Sequence, residues 1–302
     1  MDSSSSAPQV AGPVLKSPSQ VIRDAANSAL RGGVAGAAAQ GANVFALMWM
    51  RTIMNYQYRY GGGLREVATK LYAEGGVPRF YRGLVPALMQ APLSRFGDTA
   101  ANVGVLAFLD SYDSTRNLAI PIKTAAASSG AALFRIVLMP IDAWKTTKQV
   151  EGASGMRALM AKVRANGIQH LWGGSMAASA ATFAGHYPWF VTHNYLSAHL
   201  PQFGEVLGSA RTGKMLRNAA MGFCASVISD SISNSLRVLK TTKQTSLEPI
   251  TYPTALKTIV QKEGVTGLLG RGLKTRIITN GMQGMMFSVM WKAIEEQLRK
   301  RE

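Results

Sequence analysis

Two ionisable residues interrupt stretches that are otherwise apolar, and they carry opposite charges. Arg135 lies in the stretch from Thr124 to Met139, and Asp230 in the one from Ala219 to Asn234. A charge within an apolar helix is expensive, so it marks a binding or transport role unless it is paired. Arg135 stands five positions before Pro140, and Asp230 five before Ser235, in segments that match each other. Equivalent helix faces therefore present opposite charges, suited to the carboxylate and the ammonium of a small zwitterion such as an amino acid. The same two residues could instead pair with each other inside the bundle, as buried charges usually do. Both readings stay open on sequence alone.

Enzymatic chemistry finds no such foothold. His170, His186, His193 and His199 form no metal-ligand spacing with acids, and there is no nucleophile motif or complete phosphate-binding loop. The lone Cys224 excludes an internal disulfide framework and a multi-cysteine zinc site. A transporter or a binding protein is expected, not an enzyme, with no cofactor and no metal.

The elements that must hold Arg135 and Asp230 read as membrane helices. Hydrophobic residues make up 47% of the 302 and charged residues only 16%, against roughly 25% charged in an average soluble domain. Mean hydropathy is just +0.05, because the apolar stretches favour Gly, Ala and Ser, the residues that let membrane helices approach closely. Gly32 to Met50 and Trp172 to Gly204 contain no Lys, Arg, Asp or Glu, and a span needs about 20 residues. The net charge of +17 is placed unlike that of a nucleic-acid binder. Lys and Arg gather in three separated connections, Arg51 to Arg82, Lys145 to Arg164 and Lys240 to Arg276, so one face of a membrane is the basic one. Met1 to Gln20, rich in Ser and Pro, reads as part of a disordered tail (1–24) and neither as a signal peptide nor as an Arg-rich transit peptide.

An internal repeat sets the architecture. The run from Met139 to Gln149 matches that from Asn234 to Gln244, sharing Lys-Thr-Thr-Lys-Gln, and Ala46 to Thr52 is a weaker copy. About thirty residues on, each copy is followed by a second motif: Glu74-Gly75 to Gly83, Asn166-Gly167 to Gly174, and Glu263-Gly264 to Gly272. Each repeat then consists of an apolar helix, a short amphipathic connection such as Gly63 to Tyr72, and a second apolar helix. The expected fold is an all-α membrane protein of six transmembrane helices in three repeats, 25–118, 119–212 and 213–302. A proline bends a membrane helix; Pro140 can do so, whereas Ala46 and Ser235 cannot. Gly75, Gly83, Gly167, Gly174, Gly264 and Gly272 read as helix N-termini whose free amides suit phosphate headgroups, or simply as tight turns.

These motifs resemble those of the mitochondrial carrier family, over about Ala25 to Arg299. Pro140-Ile141-Asp142 with Lys145 keeps that family's first motif, and Glu74-Gly75 with Tyr81-Arg82-Gly83 its second. The resemblance implies a pseudo-threefold barrel in the mitochondrial inner membrane, opening alternately to either side, with cardiolipin at the six glycines. It also implies a matrix gate of acid and base partners from Arg51, Asp142, Lys145, Arg237 and Lys240. Here Asp142 is the only acid, with Lys240 as its partner, while Met48 and Arg237 stand where the other two acids would be. The gate on the other side has no acid, since its positions carry Val103, Asn194 and Lys292; Asp113 and Arg116 are spaced too far from Gly83 to replace it.

Seven residues after the motif glycines, where the resemblance places substrate contacts, stand Gln90, Ala181 and Thr279, with Thr182 and Asn280 one step on. Further along, Arg95 and His186 share a helical position that Gly284 completes. His186, beside Tyr187 and Pro188, reads more readily as a packed histidine than as a proton relay. The candidate substrate site is thus Gln90, Arg95, Arg135, Thr182, His186, Asp230, Thr279 and Asn280, for a small zwitterion or carboxylate carried by a monomer or a subunit of a membrane complex. The rival is a carrier-fold protein that no longer transports and serves as a structural partner, a reading the incomplete gates favour.

Overall fold

The computed structural model describes residues 33–201 and 210–299, with the single positions 19, 20 and 23. Within these, side chains are described from 41 to 286, except at 95, 99, 102, 103, 113 and 210–212, besides those at the three single positions and 201. The expected N-terminal tail otherwise lies outside the described residues.

A long helix, a short connecting helix and a second long helix recur along the chain. They are α1 (Gly33–Tyr60), α2 (Leu64–Phe80) and α3 (Leu84–Asp110). Next, α4 (Ile120–Val137) runs into α5 (Met139–Val150), and the connecting α6 (Gly152–Asn166) and a 3-10 turn (Ile168–Trp172) lead to α7 (Ser175–His199). Last come α8 (Ala210–Thr245), α9 (Tyr252–Gly270) and α10 (Leu273–Arg299). No strand occurs among the described residues. Around the molecule α1 packs on α3, α3 on α4, α4 on α7, α7 on α8, α8 on α10 and α10 back on α1, so the long helices form a closed ring. Towards their C-terminal ends α1, α5 and α8 also pack on one another, whereas among the described residues α3, α7 and α10 share no comparable mutual packing. The ring is therefore drawn together at one end.

Small residues bring the helices together. A Cβ on Gly97 of α3 would fall 1.9 Å from the Phe134 ring of α4. On α7, Ala177, Ala178, Ala181 and Gly185 form a buried face, and the Ser229 hydroxyl of α8 donates to the Gly185 carbonyl at 2.7 Å. Such close approach gives helices van der Waals contact where large side chains would hold them apart.

Pro140 breaks the second unit as its chemistry dictates. α4 ends at Val137 and α5 restarts at Met139, bent by 66°. Proline has no N–H to give the carbonyl four residues back, and its ring disfavours helix at the preceding residue. That carbonyl belongs to Ile136, and the Trp172 indole N–H donates to it at 3.0 Å. With Ala46 and Ser235 at the matching positions, α1 and α8 run on unbroken. No single helix among the described residues is long and apolar enough by itself to cross a membrane; only α4 and α5 are so together. Polar and small residues on the inward faces hold the hydropathy of each helix down.

Two arginine clamps tie the connecting helices to the ends of neighbouring long helices. Arg79, fully buried, donates to Glu74 at 2.8 Å and to the Gln149 and Val150 carbonyls at 2.8 and 2.9 Å, capping α5. Arg271 grips both oxygens of Glu263, at 2.9 and 2.7 Å, and donates to the Arg59 carbonyl of α1 at 3.1 Å. Each satisfies C-terminal carbonyls that the helix itself leaves without donors. Arg271 is the motif arginine, but in the first unit Arg79 takes the part that the motif would give to Arg82.

The glycines at the starts of α3, α7 and α10 form a second set of ties. At Gly83 (φ +90°) a Cβ would lie 2.9 Å from the Lys145 carbonyl, and at Gly174 (φ +90°) 3.0 Å from that of Lys240. Both are left-handed and pressed against the next unit's backbone, where only glycine fits. Gly272 repeats this against α1, with the Tyr58 ring at 2.7 Å.

Gly83→Ala should therefore lower the melting temperature of the detergent-solubilised protein, by a loss of about 1–3 kcal/mol. Gly104→Ala, on the same helix with open space around it, should leave the melt unchanged or raise it slightly. Equal melts for the two variants would refute the contact. The Arg271 hydrogen bonds hold the Glu263 carboxyl below its ordinary value of 4.5. A carboxyl whose pKa falls on folding stabilises the fold above its unfolded pKa, and that contribution is lost as pH drops through the folded one. Wild-type melts should accordingly fall more steeply than those of Glu263→Gln as pH is lowered from about 5, and parallel curves would count against the clamp.

Candidate functional site

At the drawn-in end one carboxylate organises the contacts among the helices. Asp142, nearly fully buried on α5, accepts from Lys145 at 2.7 Å, from Lys240 of α8, from Gln90 of α3 at 2.8 Å and from Gln244 of α8 at 3.4 Å. Gln90 works in both directions, since its carbonyl oxygen also accepts from Lys145 at 2.5 Å. Helix α1 joins through Asn55, which donates to the Gln149 side chain at 2.6 Å. Among the described residues Arg51 forms no ion pair. Arg237 donates to Ser233 at 3.2 Å and lies 4.0 Å from Asp230. Of the five residues assigned to the gate, the structure thus joins Asp142, Lys145 and Lys240, and leaves Arg51 and Arg237 outside that cluster.

Above this cluster lies a cavity of about 290 Å³, at the lower edge of the range for small-molecule sites. Gln90, Arg135, Thr182, Thr279 and Asn280 all line it. Two of these spend their hydroxyls on their own helices, Thr182 on the Ala178 carbonyl and Thr279 on the Thr275 carbonyl. His186 is not among the lining residues; its ring meets Phe190 edge-on at 6.3 Å. The Arg95 side chain lies outside the described residues, as do those of Val103, Asp113 and Lys292.

Arg135 and Asp230 do not pair with each other. Arg135 donates to the Ser94 hydroxyl of α3 and meets no carboxylate at ion-pair distance among the described residues. Asp230 is engaged by Arg276 at 2.5 Å and by the Asn280 amide at 2.5 Å, both on α10. Its carboxylate is thus a counter-ion within the wall of the bundle, not a free acceptor for a ligand's ammonium. Arg276 was not among the sequence candidates, although a signal existed. It stands four residues after Gly272, where Ala87 and Ala178 occupy the matching places, and all three line the cavity.

The six glycines divide by geometry. Gly83 and Gly174 are the residues ahead of α3 and α7, and Gly272 immediately precedes α10. Gly75 and Gly264 instead sit at kinks inside α2 and α9, where Gly76 and Gly264 carry the positive φ. Gly167 closes α6 ahead of the 3-10 turn. One amide of the α7 start is already used, since Ala177 N–H donates to the Tyr252 hydroxyl at 3.1 Å.

The long helices thus form a closed ring around a polar cavity, sealed at one end by ion pairs and polar side chains. The family model described as mitochondrial carrier protein matches residues 23–108 and 211–302, more than half of the chain, and the chain belongs to that family. No curated protein matches it. Family members are multi-pass solute carriers of the mitochondrial inner membrane, not enzymes. The matched regions leave out 109–210, the part that holds Asp142 and Arg135.

Asp142→Asn removes the charge that two lysines share. It should destabilise the protein by about 3–5 kcal/mol, as expected when one partner of a buried pair is lost. Lys240→Gln should cost less, because Lys145 and Gln90 still satisfy Asp142. Melting temperatures of the two variants in one detergent and lipid mixture test this, and a smaller loss for Asp142→Asn would overturn it.

Proposed function

We propose that this chain carries a small carboxylate-bearing solute across the mitochondrial inner membrane by alternating access. The observation that supports this best is Arg135, which faces the cavity and is held by Ser94 without a carboxylate of its own. A guanidinium kept in that condition is suited to charge-assisted, bidentate contact with a carboxylate that arrives and leaves. Thr182 and Thr279 donate to their own helices, and Gln90 and Asn280 are engaged by the neighbouring charges. These residues shape the cavity around the solute, while their oxygens can still accept hydrogen bonds from its body. A central site flanked by helices that can be drawn together at either end is the arrangement alternating access requires, and the Asp142 cluster closes one end in this state.

In this reading the chain is one membrane domain of three repeats, 25–118, 119–212 and 213–302, with six spans. It acts as a monomer or as a subunit of a membrane complex. Cardiolipin phosphates bind at the starts of α3, α7 and α10, and the basic connections between paired helices attract them further. The alternative of a purely structural bundle gives no reason for an arginine facing an open cavity without a counter-ion.

Uptake of labelled mono-, di- and tricarboxylates and amino acids into liposomes containing the purified protein tests the proposal. Wild-type protein should concentrate at least one carboxylate above protein-free liposomes. Arg135→Gln should slow that uptake about tenfold or more, the loss of one charge-assisted hydrogen bond being worth about 1.5–3 kcal/mol. Background rates for every compound would overturn it.

A further inference from the structure

The cavity's charge balance indicates more about the solute, on the footing that the protein is a carboxylate carrier. Six cationic side chains line it: Arg51, Arg135, Lys145, Arg237, Lys240 and Arg276. Against them stand two carboxylates, Asp142 among the lining residues and Asp230 behind them, which leaves four positive charges in excess. The excess arises where the sequence departs from its own repeat. Arg237 follows Ser235 by two, at the place that Asp142 holds after Pro140, so a positive charge replaces a negative one; at the third such place stands Met48.

The surplus charges are spread around the cavity. Arg135 projects from α4, Arg51 from α1 and Arg237 from α8. Arg237 lies 4.0 Å from Asp230, a carboxylate that Arg276 engages more closely at 2.5 Å. Like charges gathered in a low-dielectric cavity repel strongly, so a bound anion that touches several of them relieves repulsion at each. Arg276 and Asn280 already engage Asp230, so its carboxylate is not free to receive an ammonium.

We propose that the solute is a small organic anion with two or more negative charges, held by Arg135 of α4, Arg51 of α1 and Arg237 of α8. A zwitterion or a monocarboxylate would compensate only one of the three and leave the other two uncompensated. The shared chemistry is that of multivalent anions, whether di- and tricarboxylates or phosphate esters.

The test is thermal stability of the full-length protein in lipid-supplemented detergent, at ionic strength fixed with sodium chloride. The probes are acetate, succinate, tricarballylate, glycerol 3-phosphate and alanine. A ligand of the native state raises the midpoint by mass action. Succinate or tricarballylate should raise it by about 3 °C or more at concentrations where acetate and alanine leave it unchanged. Arg237→Gln should abolish the preference for the multivalent probes, and Arg51→Gln gives an independent check should that variant not fold. A shift from glycerol 3-phosphate alone would keep the multivalent anion and assign it to phosphate esters. An equal or larger shift from acetate or alanine would overturn the inference while the carboxylate carrier stands. No shift from any probe would overturn both.

Discussion

Asp142 is the point on which the closed end of the ring depends. It gathers α3, α5 and α8 through four side chains, and α1 joins through the Asn55 to Gln149 contact two turns further along. A buried carboxylate is costly to desolvate, and that cost is met only when its lone pairs are filled. Two lysines and two glutamines fill them here. The 66° bend between α4 and α5 carries α5 inward under the cavity, whereas α1 and α8 reach the same end without a break. Trp172 then makes the break tolerable by satisfying the carbonyl that proline leaves open.

Because that carboxylate stands alone, the closure is asymmetric. Helix α5 brings both an acid and a base, α8 brings Lys240 with Arg237, and α1 brings Arg51 with no acid. Ties of another kind complete the end. The Arg79 and Arg271 clamps cap α5 and α1, and Gly83, Gly174 and Gly272 press the starts of α3, α7 and α10 onto neighbouring helices. These contacts use backbone carbonyls and tolerate substitution of the residues at the gate. The fold can therefore keep its shape while its charges drift, and a cavity with surplus positive charge remains structurally sound.

Much of this was legible in the sequence, and its limits have physical causes. The order of helices followed from the recurring motifs, because the residues that punctuate them act locally: proline removes a donor and glycine permits a left-handed turn. The role of Gln90 was half visible. Spacing from Gly83 put it on the cavity wall, but only three-dimensional packing shows that it also holds Asp142 and Lys145. Arg276 does not interrupt an apolar stretch as Arg135 and Asp230 do, because it sits one turn inside a helix whose start is basic. Comparing the three copies position by position would have found it, as the only charge beside Ala87 and Ala178. Spacing alone could not reveal that Arg79 replaces Arg82, since the choice depends on which guanidinium reaches the end of α5.

The partnership of Asp230 with Arg276 bears on how the ring could open. Both belong to the contact between α8 and α10, and Asn280 reinforces it, so this pair holds two neighbours together along their sides. The Asp142 cluster differs in kind, for it joins helices that meet only at the drawn-in end. An anion held as proposed by Arg135, Arg51 and Arg237 lies in a cavity that Lys145 and Lys240 also line, so its charge competes with Asp142 for the two lysines. Arg237 lies 4.0 Å from Asp230 as well, but Asp230 keeps Arg276 and Asn280 as closer partners. On the proposed site, occupancy therefore weighs more on the closure across the ring than on the contact between α8 and α10.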